Sequence, residues 1–251
     1  MLSVMEVKKK LPRDFIEELY NLHSPLVADK ILAGMAGKRN TTLRVNTLKY
    51  NIQDLMRYFR EINIKFERVN FLSDALVIKN ATEKDIQKLD IYEKGYIYLQ
   101  SLSSMIPPLV LGAKENEQIL DMASAPGSKT TQISAMMNNT GHIIANELDK
   151  IRCERLKFNL SSQGATNVEV INGYGEKLGE RYPKNFDRVL LDTPCSGEGR
   201  FIAEIAGTYR NWSLKTVKEL SKIQRKLIKS GYNALKPSGI MVYSTCTLNL
   251  E

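Results

Sequence analysis

Cys195 and Cys246 are the residues of this chain best suited to covalent chemistry. Each closes a short apolar run. The first is Arg188-Val189-Leu190-Leu191-Asp192-Thr193-Pro194-Cys195, and the second is Ile240-Met241-Val242-Tyr243-Ser244-Thr245-Cys246. Apolar runs of this length predict buried strands of a parallel sheet. Ligands of open α/β sheets sit beyond the carboxyl ends of the strands, so two thiols delivered there point to one reactive site. Such a pair offers nucleophilic chemistry, in which a thiolate forms a covalent intermediate. For either cysteine alone, an inert buried thiol is the commoner role.

Other cysteine chemistries fit poorly. A third cysteine, Cys153, makes the total odd, and there is no Cys-x-x-Cys pair. Neither a disulfide framework nor a zinc site is expected, and no metal is expected at all. His23 and His142 are isolated in sequence, which leaves a Cys–His hydrolase without an obvious base.

Two further motifs read as a binding site. Asp121-Met122-Ala123-Ser124-Ala125-Pro126-Gly127-Ser128-Lys129-Thr130 is a strand end, a turn of small residues and a helix start. Small residues let a ligand approach the backbone, and a helix N-terminus offers free N–H groups to an anion such as a carboxylate. The spacing matches neither a P-loop nor Gly-x-Gly-x-x-Gly, which disfavours ATP and dinucleotides. By itself the segment is equally a tight turn. Glu147, one βα unit later, is placed to accept hydrogen bonds from a ribose. Asp149 beside it reads as a helix N-cap.

The elements that must position these groups follow from periodicity. After about residue 95, strands alternate with helices, the pattern of a parallel sheet with crossover helices. Strands are expected at Gln118–Asp121, Gly141–Glu147 and Asn167–Ile171, followed by the two cysteine-bearing strands. Helices are expected from Lys129 to about Met137, from Lys150 to Leu160 and from Ser213 to about Ser230. The last carries an apolar stripe of Leu214, Val217, Leu220, Ile223, Leu227 and Ile228, with lysines mostly on the other side. Before residue 95 the chain reads as a small α+β unit. Helices are expected at Leu11–Leu22, Pro25–Met35 and Glu83–Leu89, and another is capped by Asn51; strands are expected at Thr42–Val45, Lys65–Val69 and Ala75–Ile78.

The chain has 251 residues, enough for one or two domains. Hydrophobic content of 43% and charged content of 25% are ordinary for a soluble globular protein. No apolar run is long enough to span a bilayer, and the first ten residues carry no signal-peptide core, so a cytoplasmic protein is expected. The net charge of +8 is compatible with a polyanionic partner and equally with a generically basic protein.

Taken together, the motifs resemble the Sun family of RNA 5-methylcytosine methyltransferases. The likeness rests on the loop Ala123 to Lys129, on Asp192-Thr193-Pro194-Cys195-Ser196-Gly197 and on Tyr243-Ser244-Thr245-Cys246-Thr247-Leu248-Asn249. Leu43-Arg44-Val45-Asn46-Thr47-Leu48, Gly95-Tyr96-Ile97-Tyr98-Leu99-Gln100 and Ser103-Ser104 add to it. The chain differs from the family in three places. Ala123 stands where a Cys is common and Ser128 where a Gly is common. Tyr174 stands where the family usually has an adenine-binding Asp.

The resemblance implies an α/β fold: a Rossmann-like S-adenosylmethionine-dependent methyltransferase sheet in residues 96–251, with a small N-terminal α+β RNA-binding domain in residues 1–95. The chain stops at Glu251, where family members continue, so the C-terminal strands are expected to be truncated. The implied cofactor is S-adenosylmethionine, held by Ala123, Ser124, Ala125, Pro126, Gly127, Ser128, Lys129, Glu147, Tyr174 and Asp192. Cys246 is the implied nucleophile toward carbon 6 of cytosine, Cys195 assists product release, Asp192 holds the cytosine edge and Lys129 supports the base or a thiolate. The implied partner is RNA, for which Lys8, Lys9, Lys10, Arg39, Arg44, Tyr58 and Arg60 are candidate contacts and equally plain solvated surface, with the protein acting as a monomer. The compact chain is more similar to archaeal-type tRNA enzymes than to the longer bacterial rRNA enzymes, which makes tRNA the first expectation and rRNA the second. A DNA cytosine methyltransferase would carry its nucleophile in the Pro-Cys loop, and the second cysteine motif speaks against it. A binding-only protein would take RNA with strong salt dependence and no cofactor.

Overall fold

The computed structural model describes residues 2–37 and 39–250. In chain order the elements begin with α1 (Val4–Lys10), α2 (Arg13–Leu22), α3 (Pro25–Met35), β1 (Thr41–Val45) and α4 (Ile52–Glu61). They continue through β2 (Phe66–Val69), β3 (Leu72–Ile78), α5 (Glu83–Ile86), α6 (Asp90–Glu93), β4 (Ile97–Leu99) and α7 (Leu102–Leu111). The alternating part is β5 (Gln118–Asp121), α8 (Ser128–Met136), β6 (His142–Glu147), α9 (Lys150–Gln163), β7 (Val168–Asn172), α10 (Leu178–Arg181), β8 (Phe186–Asp192), α11 (Leu214–Ala234) and β9 (Leu235–Ser244).

The chain divides into two compact units. One comprises Met1–Arg39, Thr193–Lys226 and Thr245–Glu251. Its core is Val7, Leu11, Phe15, Leu19, Leu32 and Met35 packed with Phe201. The Phe15 ring meets Phe201 and Trp212 edge-on, with centroids 5.2 and 5.8 Å away. The amphipathic face of α2 therefore closes on the segment that follows Cys195. A capping box between Ser3 and Glu6 starts α1, an element absent from the sequence expectation because its single buried residue, Val7, leaves almost no periodic signal.

The other unit comprises Asn40–Asp192 and Leu227–Ser244 and holds both sheets. A four-stranded antiparallel sheet runs β2-β3-β1-β4. It buries Leu43, Val45, Leu76 and Ile78 against Leu55 and Phe59 of α4. Asn51 caps α4 as expected, its side chain accepting from the Asp54 N–H. The second sheet is five-stranded and parallel, in the order β7-β6-β5-β8-β9. Alternate strand residues serve opposite faces. Ile119, Ile143 and Leu190 pack with α7 and α8, whereas Leu120, Ile144, Val189 and Leu191 pack with α10 and the end of α11. Helices cover both faces, which is why these strands read as continuous apolar runs.

Three local differences from the sequence reading have clear causes. Glu83–Leu89 does not form one helix: Thr82 caps the short α5, and a second turn, α6, begins at Asp90. Helix α7 contains Pro107 and Pro108, which remove two amide donors. Side chains take up carbonyls of this segment: Gln100 Nε2 donates to Ser104 O at 3.1 Å and Gln132 Nε2 to Met105 O at 3.0 Å. On α11 the buried positions include Val217, Ser221, Gln224, Leu227, Ser230 and Ala234, while Ile223 and Ile228 are exposed. The expected stripe is thus rotated toward small and polar residues. A Cβ on Gly231 would stand 2.8 Å from Met122 Sδ and Met241 Cε, so both methionines would have to shift to admit a side chain.

Candidate active site

Strands β5 and β8 lie side by side, and the chain leaves β5 toward β6 on its other flank. That reversal of strand order is where ligand crevices of open α/β sheets form. At the end of β5, Asp121 is 1% exposed and its Oδ2 accepts from Thr130 Oγ1 at 2.8 Å. Burial pushes its carboxyl up to about 6, against the pull of the Thr130 hydroxyl and the Lys129 charge. At the end of β8, Asp192 Oδ2 lies 2.6 Å from Lys129 Nζ, and Oδ1 accepts from Ser244 Oγ at 2.8 Å. Lys129 Nζ also donates to Ser104 Oγ at 2.9 Å. Two expected site residues, Lys129 and Asp192, are therefore partners, held by Ser104 and Ser244.

The small-residue turn is tied down on several sides. Ser124 Oγ donates to Asp121 O at 2.8 Å, Arg152 Nη2 to Ala125 O at 2.7 Å and Asn159 Nδ2 to Pro126 O at 2.7 Å. Ser124 and Ala125 are buried, Ala123, Ser128 and Lys129 half-buried, and Pro126 exposed. Gly127 has φ +104°, and a Cβ there would sit 2.9 Å from Leu156 Cδ1, so glycine is required by conformation and by space. Arg44 reaches the start of α8 from β1: Nη2 donates to Thr131 Oγ1 at 2.7 Å and to Ser128 O at 3.3 Å, and Nε to Gln100 Oε1 at 3.0 Å. At 1% exposure Arg44 faces no RNA, contrary to the expectation from its charge. Its role is to hold the turn.

Glu147 is 3% exposed at the end of β6. Its Oε1 accepts from the Asp149 N–H at 3.0 Å, while its Oε2 accepts no hydrogen bond although Arg152 Nη1 lies 3.4 Å away. A buried carboxylate oxygen without a donor is costly, and a sugar hydroxyl would satisfy it. With that unsatisfied oxygen, the residues present fit a ribose-bearing cofactor. Asp149 caps α9 as expected, accepting from the Arg152 N–H. Tyr174 is 60% exposed, with Lys177 Nζ 5.7 Å from its ring centre. It borders an open cleft of about 500 Å³ lined also by Asn146, Ile171, Gly173, Lys177 and Leu178.

The unit that holds Thr193–Lys226 and Thr245–Glu251 carries both thiols. Cys195 Sγ and Cys246 Sγ are 3.1 Å apart, within hydrogen-bonding distance and longer than the roughly 2.05 Å of a disulfide. The hydrogen bond from Cys246 pulls the Cys195 thiol down to about 6; the Thr245 hydroxyl and the backbone at Cys246 and Gly197 add to this, against the effect of burial. Gln224 Nε2 donates to Pro194 O at 2.9 Å and steadies the turn before Cys195. Cys153, in contrast, is buried on α9, where burial pushes its thiol up. An inert packing role suits it.

Residues 108–251, more than half of the chain, match the family described as 16S rRNA methyltransferase RsmB/F. This chain belongs to the RsmB/F family. A ribosomal RNA small subunit methyltransferase F from Serratia proteamaculans is 38% identical over 245 residues, which cover 96% of this chain and 51% of the relative. The chain spans about half the length of the curated relatives it matches. Among solved structures, a methyltransferase homolog protein from Pyrococcus horikoshii is 32% identical with a TM-score of 0.78, covering 95% of this chain and 79% of its own. NSun6 from Pyrococcus horikoshii, solved with SFG, shares the fold at a TM-score of 0.87 and 24% identity, covering 96% and 85%. Family and fold are those of S-adenosylmethionine-dependent RNA methyltransferases, as the sequence motifs imply.

Sequence reasoning missed Ser244, Arg152 and Glu198. Ser244 stands two residues before a thiol, and a hydroxyl on a strand end gives no pattern by itself. Arg152 lies in the first turn of α9, three residues after its cap Asp149, and no local spacing signals its reach to the Ala125 carbonyl. Glu198 follows Cys195-Ser196-Gly197, where a carboxylate usually means solvent. Here it is fully buried.

Proposed function

We propose that this protein methylates carbon 5 of cytosine in small-subunit ribosomal RNA, with Cys246 as the covalent nucleophile. The observation that carries the reading is the 3.1 Å approach of two thiols delivered from separate strand ends. Bound S-adenosylmethionine supplies an electrophilic methyl group. The turn from Ala123 to Ser128 and Glu147 would hold it, and Tyr174 would offer it an aromatic face.

Cys246 gives its S–H proton to the adjacent Cys195 sulfur, which releases it to solvent; the resulting Cys246 thiolate forms a bond to carbon 6 of the ring, and the electrons of the C5–C6 double bond move into the ring, making carbon 5 nucleophilic. Asp192, fixed by Lys129 and Ser244, accepts from the cytosine amino group and orients the ring. After methylation, removal of the carbon-5 proton re-forms the double bond and breaks the S–C6 bond, returning the thiolate. Cys195 takes that proton and passes it toward solvent. Residues 1–95 contribute RNA contacts through the exposed Lys9, Lys10, Arg39 and Arg60. Among the described residues no helix is long and apolar enough to cross a membrane.

The family description and the relatives' names favour ribosomal over transfer RNA. Two experiments test the reading. Cys246→Ala abolishes methyl transfer, and Cys195→Ala accumulates a protein–RNA adduct that survives denaturing electrophoresis. An active parent with no adduct in Cys195→Ala overturns the division of labour. Bisulfite sequencing of RNA from cells lacking or expressing the full-length protein shows the protected cytosine in small-subunit rRNA. Protection confined to tRNA overturns the substrate.

A further inference from the structure

Glu198 has no part in the chemistry above, yet it is the most fully bonded carboxylate near either thiol. It is 0% exposed. Its Oε1 accepts from Trp212 Nε1 at 2.5 Å and from Asn249 Nδ2 at 2.8 Å. Its Oε2 accepts from Thr247 Oγ1 at 2.7 Å and from the Leu248 N–H at 3.3 Å. Three of these four donors lie in the three residues immediately after Cys246. Glu198 itself lies three residues after Cys195. One side chain therefore joins the two cysteine-bearing segments.

Secondary contacts reinforce that join. Ser196 Oγ and Thr247 Oγ1 are 3.1 Å apart, Asn249 Nδ2 donates to Ser196 Oγ at 3.1 Å, and the Gly199 N–H donates to Cys246 O at 2.8 Å. A Cβ on Gly199 would meet Cys246 O at 2.9 Å, so the backbones could not approach this closely with a larger residue. The donors hold the carboxyl below the usual carboxylate range despite its burial. A buried charge with four donors is a demanding arrangement, and charge-assisted hydrogen bonds impose geometry as well as energy.

We infer that Glu198 is a positioning residue that sets the separation of the two thiols by clamping Thr247, Leu248 and Asn249 to the Cys195 loop. The inference rests on the proposed dithiol chemistry for its effect on turnover but not for its effect on the thiols. Two roles can be told apart by sign. If Glu198 acted only as a nearby negative charge, removing it would favour a thiolate and lower the pH of thiol ionisation. If it positions Cys246, removing it weakens the thiol–thiol hydrogen bond and raises that pH.

The test uses the full-length protein, Glu198→Gln and Thr247→Val. Glutamine keeps the shape but offers one oxygen and an NH2 group where four donors converge; valine removes a single donor. The pH dependence of iodoacetamide labelling at Cys195 and Cys246, resolved by mass spectrometry, needs neither RNA nor cofactor. The expected midpoint rises by at least half a pH unit in Glu198→Gln and by less in Thr247→Val. The turnover number falls at least tenfold in Glu198→Gln while the KM for RNA stays within threefold. A midpoint unchanged or lowered in Glu198→Gln overturns the inference, and so does an unchanged midpoint in Thr247→Val should Glu198→Gln fail to fold. A parent that methylates no RNA refutes the functional proposal and leaves the labelling result to decide the role of Glu198.

Discussion

Lys129 Nζ and Asp192 Oδ2 meet at 2.6 Å, although one opens a helix after β5 and the other closes β8. The lysine is 13% and the aspartate 35% exposed at the side chain, so the pair is largely shielded but not sealed. It stands at the reversal of strand order, with Ser104 and Ser244 completing its hydrogen bonds. A carboxylate fixed in this way can hold a base edge in one orientation. Lys129→Met frees Asp192 to rotate. Turnover on RNA then falls by at least tenfold while S-adenosylhomocysteine, titrated calorimetrically, binds within a few-fold of the parent. Equal losses in both would mean that Lys129 serves the cofactor.

The dithiol predicts a pH response. With the Cys195 thiol near 6, the pair already carries a thiolate at pH 7, and alkylation in the parent rises with a midpoint about 6. Cys246→Ala removes the first cause of that lowering, so the Cys195 midpoint moves up toward the ordinary thiol value of about 8.5. A midpoint left near 6 in that variant would assign the lowering to the backbone donors instead.

Asp121 predicts a pH-dependent stability cost. Its folded value of about 6 lies above the reference of 3.8, so between those values the folded state binds more protons than the unfolded state. Stability therefore falls as pH rises through that window, and the cost stays at higher pH. Asp121→Asn keeps an acceptor for Thr130 and removes the buried charge. It raises the melting temperature at pH 7.5, by a stabilisation on the order of 2–3 kcal/mol, and leaves it nearly unchanged below pH 4. An equal rise at both pH values would point to packing.

Arg44 predicts a link between the antiparallel sheet and the cofactor turn within one unit. Arg44→Met leaves Gln100 Oε1 without that donor and frees the first turn of α8. Urea denaturation shows a loss of roughly 2 kcal/mol, the cost of a buried group left unpaired. Affinity for S-adenosylhomocysteine falls with it. A destabilised variant with parental affinity would limit Arg44 to folding.

Gly127→Ala forces a side chain into a left-handed backbone and against Leu156. The conformation alone costs roughly 1–2 kcal/mol, and denaturant unfolding registers at least that loss. A stable variant would show that the turn relaxes.

Much of this protein could be read from its residues in order. Alternating apolar runs announced the parallel sheet because helices cover both of its faces. Asn51 and Asp149 announced their helix starts because a cap acts within three residues. The motifs around Ala123–Lys129, Cys195 and Cys246 carried the family. Those signals are all local in sequence. What the sequence left open depended on partners far along the chain. Arg44 read as an RNA-facing cation but is enclosed by Gln100 and Thr131, the buried stripe of α11 includes the polar Ser221, Gln224 and Ser230, and Glu198, which no local pattern marks, is enclosed by Trp212 and the residues after Cys246. Two sulfurs 51 residues apart reach 3.1 Å only through the folded backbone. Local pattern reports which face of a segment is apolar, but hydrogen bonds and contact distances between remote segments exist only once the chain has closed on itself.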